Sequence, residues 1–384
     1  MTGLCQTPVG GRNREKSLEI TAIKVRRLRR ELSPPFDAAW DPQPRKSFDA
    51  TLVAVETDEG VTGVGSGASM DGFAGYEELF LGEDPTRIVR HVRVLETIDF
   101  HAGRYWPLEA ALWDLYGKVC GQPVAKLFGG AADRVPVYAS CGELKPPAER
   151  AESALALREE GFRALKLRVD PARLEEGIAT VAAVREAVGD SMEIMVDLNQ
   201  WWRMAGDLTP GLDPTAARHI ARRLEELGVF WLEEPLPAGD LKGMAELGSA
   251  SGLRIAGGEM ARTVPELLRY LEADALDVYQ PDVVLAVGML RARTLGELAM
   301  AYNRRFTPHT WTNGLGVLAN LHVTAGIGGG PYLEFPYDPP GWTPARRDFM
   351  LAEPLKVDAD GCLRVPDAPG LGAELGEEAR QALE

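Results

Sequence analysis

The 384-residue chain has no Cys-x-x-Cys pair, and its four cysteines, Cys5, Cys120, Cys141 and Cys362, are widely scattered. That usage points to a reducing, cytoplasmic setting, and at this length a core needs neither disulfide nor metal staples. No run of 18 apolar residues occurs and the first sixteen residues lack the apolar core of a signal peptide, so neither a membrane span nor secretion is expected. Positive charge is in deficit: 42 Lys and Arg face 57 Asp and Glu, a net charge of −15 that repels phosphate backbones and anionic lipid. Nucleic acid and membrane surfaces are therefore not expected partners. Histidine is scarce, with five in the chain, and each one in a chemically suggestive place carries weight. What remains is ordinary for a globular protein, 45% hydrophobic and 26% charged, which excludes disorder and coiled coil as whole-chain descriptions. The length predicts two or three domains.

From residue 135 to 337 one unit recurs, a short apolar strand followed by a helical stretch. The strands begin at Val135, Ala164, Met192, Val229, Leu253, Ala275, Arg304 and Pro331, a mean spacing of 28 residues. Eight alternating units of that length predict a parallel α/β barrel, with an open doubly wound sheet as the competitor. Helix signals punctuate the repeat: Asp213 and Pro214 read as N-cap and first helical residue, and Gly228 marks a stop. Leu174, Ile178, Val181, Val184 and Val188 keep helical period before Gly189. Residues 201–212 read as an insertion after the third strand. Upstream, residues 18–32 and 48–67, with the turn Asp58-Glu59-Gly60, predict an antiparallel meander, and the four prolines within 33–47 predict a loop between its strands. A helix is expected over 107–119. The division expected is an N-terminal extension at 1–17, an α+β domain at 18–132, a barrel at 133–345, and a C-terminal segment at 346–384 that packs on the α+β domain and includes a hairpin over 355–365.

In the second barrel strand, alternation puts Lys166 and Arg168 on one face, opposite Leu165 and Leu167. Two cations pointing into a barrel need anions facing them, either an internal salt bridge or a site. Asp197, Glu233 and Glu259 fall at the ends of strands three, four and five. At the carboxyl rim of a barrel three converging carboxylates repel one another unless a cation is present, and hard oxygen ligands from separate strands suit magnesium. Strands six and seven end in Asp282 and His309, where the acid can orient the imidazole and raise its pKa for general acid–base work. Strand eight adds Glu334. His91, His101, His219 and His322 lie in helical or outlying patterns and read as structural. A nucleotide loop at Gly63-Val64-Gly65-Ser66-Gly67 lacks the helix and acidic residue that a dinucleotide site needs.

The order Lys-x-Arg, Asp-x-Asn, Glu-Glu-Pro, Gly-Glu, Pro-Asp, His, Glu resembles the enolase superfamily, specifically its mandelate racemase subgroup, across residues 18 to 370. Leu108-Glu109-Ala110-Ala111-Leu112-Trp113-Asp114-Leu115 and Lys126-Leu127-Phe128-Gly129-Gly130 are similar to the same family's cap-to-barrel stretch. The resemblance implies a modified (β/α)7β TIM-type barrel with an α+β capping domain, one Mg2+, a small-molecule carboxylate substrate, a homo-oligomer, and abstraction of the proton α to the carboxylate. By resemblance Asp197, Glu233 and Glu259 are the metal ligands, Asp282 and His309 the acid–base dyad, Glu334 the acid that hydrogen-bonds the enediolate, and Lys166 the lysine on the substrate carboxylate, with Asn199 beside the substrate.

Arg168 departs from the family pattern, which usually places a second lysine there. A guanidinium, with a pKa above about 12, is a poor base near neutrality. Two-base racemisation is therefore disfavoured, and the expectation is a hydro-lyase: His309 takes the α-proton and returns a proton to the departing β-hydroxyl. A racemase, epimerase or cycloisomerase using Lys166 is the alternative, and a non-catalytic metal-binding barrel a remote one. Trp40, Phe36 and Arg45 from the first loop, with Trp201, Trp202 and Trp311, are expected to form an aromatic wall suited to an acid sugar or a cyclic hydroxy acid.

Overall fold

The computed structural model describes residues 18–67, 69–204, 206–207 and 211–384. Residues 1–17, read above as an extension, lie outside the described residues, as does Ala68.

Strands β1 (Ile20–Phe36), β2 (Arg45–Thr57) and β3 (Thr62–Gly67) make an antiparallel sheet in that order. The meander is longer than expected, because part of the 33–47 segment is strand and Phe36 pairs with Arg45. Pro34 and Pro35 are tolerated because β1 is an edge strand and its register shifts between Glu31 and Phe36, where missing N–H groups cost no ladder bonds. Helices α1 (Ile88–Asp99), α2 (Trp106–Cys120) and α3 (Val124–Leu127) follow. The sheet lies directly on α2: a Cβ on Gly63 would come within 2.2 Å of Ala111 O, and one on Gly65 within 2.3 Å of Pro107 O. These glycines allow close backbone approach, a structural use of the Gly-x-Gly pattern.

The second part alternates strand and helix: β4 (Arg134–Ser140), α4 (Pro147–Glu159), β5 (Ala164–Arg168), α5 (Leu174–Val188), β6 (Glu193–Asp197), α6 (Pro214–Glu226), β7 (Trp231–Glu233), α7 (Leu241–Ala250), β8 (Arg254–Gly257), α8 (Val264–Glu272), β9 (Val278–Tyr279), α9 (Met289–Ala301), β10 (Arg305–Phe306), α10 (Gly314–Ile327) and β11 (Leu333–Pro336). Strands β4 to β11 are parallel and curl in the order β10-β9-β8-β7-β6-β5-β4-β11. Seven helices thus separate eight strands, and no barrel helix follows the last. Inside, Tyr138, Ala164, Met195, Trp231, Ala256 and Val278 form a buried layer contributed by six strands, which fills the barrel below its carboxyl rim. Asp213 caps α6 by accepting from Thr215 N and Ala216 N, as its sequence signature predicts.

Beyond the barrel come α11 (Pro344–Arg347), β12 (Cys362–Arg364) and α12 (Glu377–Leu383). The hairpin expected over 355–365 does not form. Instead β12 pairs antiparallel with Arg134–Pro136 of β4, whose parallel neighbours begin pairing only at Val137. The backbone groups left free at that edge are satisfied by β12. The last helix lies on the first sheet, with Lys24 Nζ on Leu383 O at 2.7 Å and Arg26 Nε on Ala382 O at 2.8 Å. No helix among the described residues is long and apolar enough to cross a membrane.

Helix α10 is buried from Gly314 to Gly326 and carries His322. Its Nδ1 accepts from Ala125 N at 3.0 Å and its Nε2–H donates to Leu371 O at 3.1 Å, so the neutral ring is fully bonded. Burial pushes its pKa down to about 4. The unfolded chain therefore binds a proton that the folded one refuses, and stability falls as pH drops from the ordinary histidine value of about 6.5 toward 4, by about 3 kcal/mol in all. Urea unfolding of wild type and His322→Gln across this range checks it. The variant should lose that part of the acid sensitivity, and parallel curves would remove His322 from the account.

Candidate active site

The inward groups at the barrel mouth are placed by strand register or by the turns just past the strand ends. Lys166 and Arg168 alternate on β5; Arg168 pairs with Asp197, the last residue of β6, which pairs in turn with Glu233, the last of β7. Glu259 follows β8 by two residues, after Gly258 at φ +101°. Asp282 and His309 each lie three residues past their strands, β9 and β10, and Glu334 is within β11. All eight side chains are buried.

Lys166 Nζ lies 2.5 Å from Glu233 Oε1, 2.9 Å from Glu334 Oε1 and 3.3 Å from Asp197 Oδ2. Arg168 Nη1 bonds both Asp197 Oδ2 and Asn199 Oδ1, the latter at 2.9 Å. Burial disfavours both cations, but the surrounding carboxylates outweigh it and hold them protonated. Burial likewise opposes charge on Asp197, and Arg168 and Lys166 reverse this and keep it below the usual carboxylate range. Glu334 is held down at about 2 against its burial, by Lys166, His309 and Arg168. It acts as an acceptor throughout, from Ser140 Oγ at 2.7 Å, Thr310 N at 2.6 Å and Lys166.

The remaining carboxylates are only partly compensated. Burial and neighbouring Asp197 push Glu233 up to about 8, even with Trp231 Nε1 and Gln280 Nε2 donating to its Oε2. Burial also raises Glu259, whose Oε2 has no hydrogen-bond partner, 3.5 Å from His309 Nε2. Four carboxylates, Asp197, Glu233, Glu259 and Glu334, thus face Lys166, Arg168 and, in its protonated form, His309. Oxygens of Asp197, Glu233 and Glu259 lie within 4.8 Å of one another, where like charges cost about 4 kcal/mol per pair even at an effective dielectric constant of 20. A divalent cation matches both the charge deficit and the all-oxygen donor set, so the residues fit one.

On the other side of the cavity His309 Nδ1 lies 3.0 Å from Asp282 Oδ2, and Asn320 Nδ2 braces Asp282 Oδ1 at 3.2 Å. With Nδ1–H given to Asp282, Nε2 faces Glu259 and the cavity. Burial would depress His309, yet Glu259, Glu334 and Asp282 together push it up to about 10.

The cavity holds about 290 Å³. Its reacting edge is Arg168, Asn199, Glu259 and His309, and its walls are Trp40, Trp202, Trp311, Met260 and Leu285, with Arg45 above. Trp40 sits between two guanidiniums, Arg168 at 4.6 Å and Arg45 at 5.7 Å, and meets Trp311 edge-on at 4.6 Å. Two members of the expected wall lie behind it. Trp201 is buried on Tyr270 at 4.9 Å because the strand ending brings it under Gly257, and Phe36 stacks on the outer side of Trp311 at 5.7 Å.

Sequence reading passed over Gln280, Trp231, Ser140 and Asn320, which hold the charged groups, and Met260 and Leu285, which wall the cavity. Trp231 was findable: it shares a strand face with a singled-out acid two residues on. It also passed over Glu234, at φ +45°, both of whose buried oxygens lack partners and whose carboxyl burial and Glu259 push well above the ordinary range.

Comparison with known proteins gives two family matches, "Mandelate racemase / muconate lactonizing enzyme, N-terminal domain" over residues 20–129 and "Enolase C-terminal domain-like" over 149–379. The D-galactarolactone cycloisomerase of Agrobacterium fabrum is 28% identical over 94% of this chain and 98% of its own. The L-talarate/galactarate dehydratase of Salmonella typhimurium is 32% identical over 78% of this chain and 72% of its own. Among solved structures, a racemase from Streptomyces coelicolor with bound magnesium superposes with a TM-score of 0.80 at 29% identity, covering 94% of this chain and 98% of that one.

Because Glu259 contributes to the high pKa of His309, a divalent cation that neutralises this carboxylate should lower it. By linkage, cation affinity should weaken as pH falls and His309 takes up its proton. Histidine ¹⁵N NMR titrations with and without Mg2+ would show this, and an unmoved His309 titration would refute the coupling.

Proposed function

The chain belongs to the mandelate racemase/muconate lactonizing enzyme family of the enolase superfamily, and from that premise we propose that it is a magnesium-dependent acid sugar dehydratase. The observation that carries this reading is the asymmetry of the cavity. One side presents an imidazole oriented by a carboxylate, and the other a guanidinium locked onto Asp197 and Asn199. Only one side offers a group that can both take and give a proton near neutrality.

In this mechanism the substrate carboxylate lies between Lys166, Arg168 and the Asp197–Glu233–Glu259 cluster. Magnesium held by those three carboxylates would supply the positive charge that offsets the negative charge developing on the substrate. His309 Nε2 takes the α-proton, and Asp282 stabilises the imidazolium through Nδ1–H. The electron pair from the broken C–H bond moves into the enediolate. As it returns, the β C–O bond breaks and His309 delivers its proton to the departing hydroxyl, so that water leaves and the enol product tautomerises to a 2-keto-3-deoxy acid. Lys166 remains protonated throughout, because three carboxylates surround it. Glu334 accepts from Lys166 and Thr310 N, which fixes the lysine in place and leaves the carboxylate without a proton to donate. The indole walls suit the C–H faces of a sugar acid, and the similar proteins include an acid sugar dehydratase, a lactone cycloisomerase and a racemase.

A screen of acid sugars and hydroxy acids with the Mg2+-loaded protein, reading 2-keto product and solvent deuterium together, tests the reading. His309→Asn should lose both product and α-exchange by about 10²-fold or more. Exchange retained in that variant would move the base to Lys166.

Arg168→Lys keeps the charge but loses the planar guanidinium whose Nη1 holds Asp197 and Asn199, and should weaken turnover without abolishing it. In deuterated water the wild type should exchange the α-hydrogen on one face only. Deuterium on both faces of recovered substrate, without loss of water, would make the protein an epimerase.

A further inference from the structure

The loop that carries Asp282 is fastened from outside the barrel. Trp106, at the start of α2, donates its Nε1–H to Ala286 O at 2.9 Å. One turn on, Glu109 accepts from Leu290 N at 2.7 Å and Met289 N at 3.1 Å, the free amides that open α9. Trp113 Nε1 completes the carboxylate's shell at 3.1 Å. Helix α9 has no capping side chain of its own, because its N-cap is Gly288 at φ +79°. A Cβ there would lie 2.0 Å from Glu109 Oε2 and 2.7 Å from Trp106 Cε3, so a local cap is sterically excluded and the cap comes from the other domain. A third contact joins them: Gly67, at the end of β3, lies against Val284, where a Cβ would come within 2.5 Å. The arrangement carries a cost, since burial raises the Glu109 carboxyl to about 7 despite its three donors.

Between the first barrel residue of this clamp and the dyad there is no slack. Ala286 N bonds Asp282 O at 2.8 Å, Val284 N bonds Asp282 Oδ1 at 2.9 Å, and Leu285, between them, walls the reaction cavity. Resting on the acid–base role proposed above for His309 and Asp282, we propose that Glu109 and Trp106 are positioning residues for the reaction: the capping domain sets the orientation of Asp282 toward His309 and the place of the Leu285 wall by clamping the 283–290 segment. Neither residue touches the cavity, so both act only through that segment.

Two variants test this in the Mg2+-loaded protein. Glu109→Gln removes the charge and one of the acceptors at the α9 amides; Trp106→Phe deletes the N–H to Ala286 together with part of the buried indole. Amide hydrogen exchange over 283–290 should quicken about tenfold or more in Glu109→Gln and less in Trp106→Phe. The downfield proton signal of His309 Nδ1–H should shift in both, and kcat should fall about tenfold or more with KM changing less than threefold. Faster exchange with kcat and the His309 signal as in wild type would reduce Glu109 to a structural cap and overturn the proposal. If Glu109→Gln fails to fold, Trp106→Phe decides by the same readouts. Should the wild type dehydrate no acid sugar, the proposed reaction fails, whereas the exchange and His309 signals still decide the clamp.

Discussion

Too many carboxylates buried at one end of the barrel is the constraint to which the rest of the site answers. Strand register places Asp197 and Glu233 side by side and brings Glu259 and Glu334 to the same mouth. Lys166 is consumed by three of these acids and Arg168 by one, which leaves neither cation free to serve as a base. The charge still uncompensated falls on Glu233 and Glu259, where a divalent ion would fit. Neutral supports, Trp231 and Gln280 on Glu233 and Ser140 on Glu334, then fix which oxygens of those two acids point where. A barrel with fewer acids would need less support and would have less reason to recruit an ion.

Much of this was legible in the sequence because period-2 alternation and strand-end position are local properties. Lys166 and Arg168 could be assigned to one face of β5, and the acids to strand ends, from short strings of residues. The far end of the edge strand β1, residues 33–36, was not legible, since its prolines argue against a strand until one knows that its outer side has no partner. Nor was the difference between Trp201 and Trp202, adjacent residues of which one packs on Tyr270 and the other faces the cavity. The role of Glu109 was hidden for a related reason: α2 is buried on nearly every side, so its sequence has no polar face against which a buried acid stands out. Contacts between residues 180 positions apart, such as Glu109 with Met289, leave no periodic trace.

The cavity divides its labour by chemistry. Charged and titratable groups occupy the reacting edge, while the facing walls are indoles, a leucine and a methionine. Trp40 belongs to both sets, because it presents its ring to Arg168 while its own loop is held by the Asp41–Arg45 ion pair. With that loop at the mouth of the cavity, the charged edge is shielded from water, which strengthens every charge interaction there.

The seam between α12 and β1 bears on the order in which the protein can be made. On a ribosome the first sheet emerges before the barrel, yet the main-chain acceptors at Ala382 and Leu383 that meet Arg26 and Lys24 emerge only after it. Asp114 of α2 likewise waits for Leu371 N, its partner at 2.7 Å, and Ser66 for Asn313. The amino-terminal half must therefore persist with these partners missing while more than two hundred residues are synthesised. An open sheet with unmet partners is prone to mispairing until they arrive.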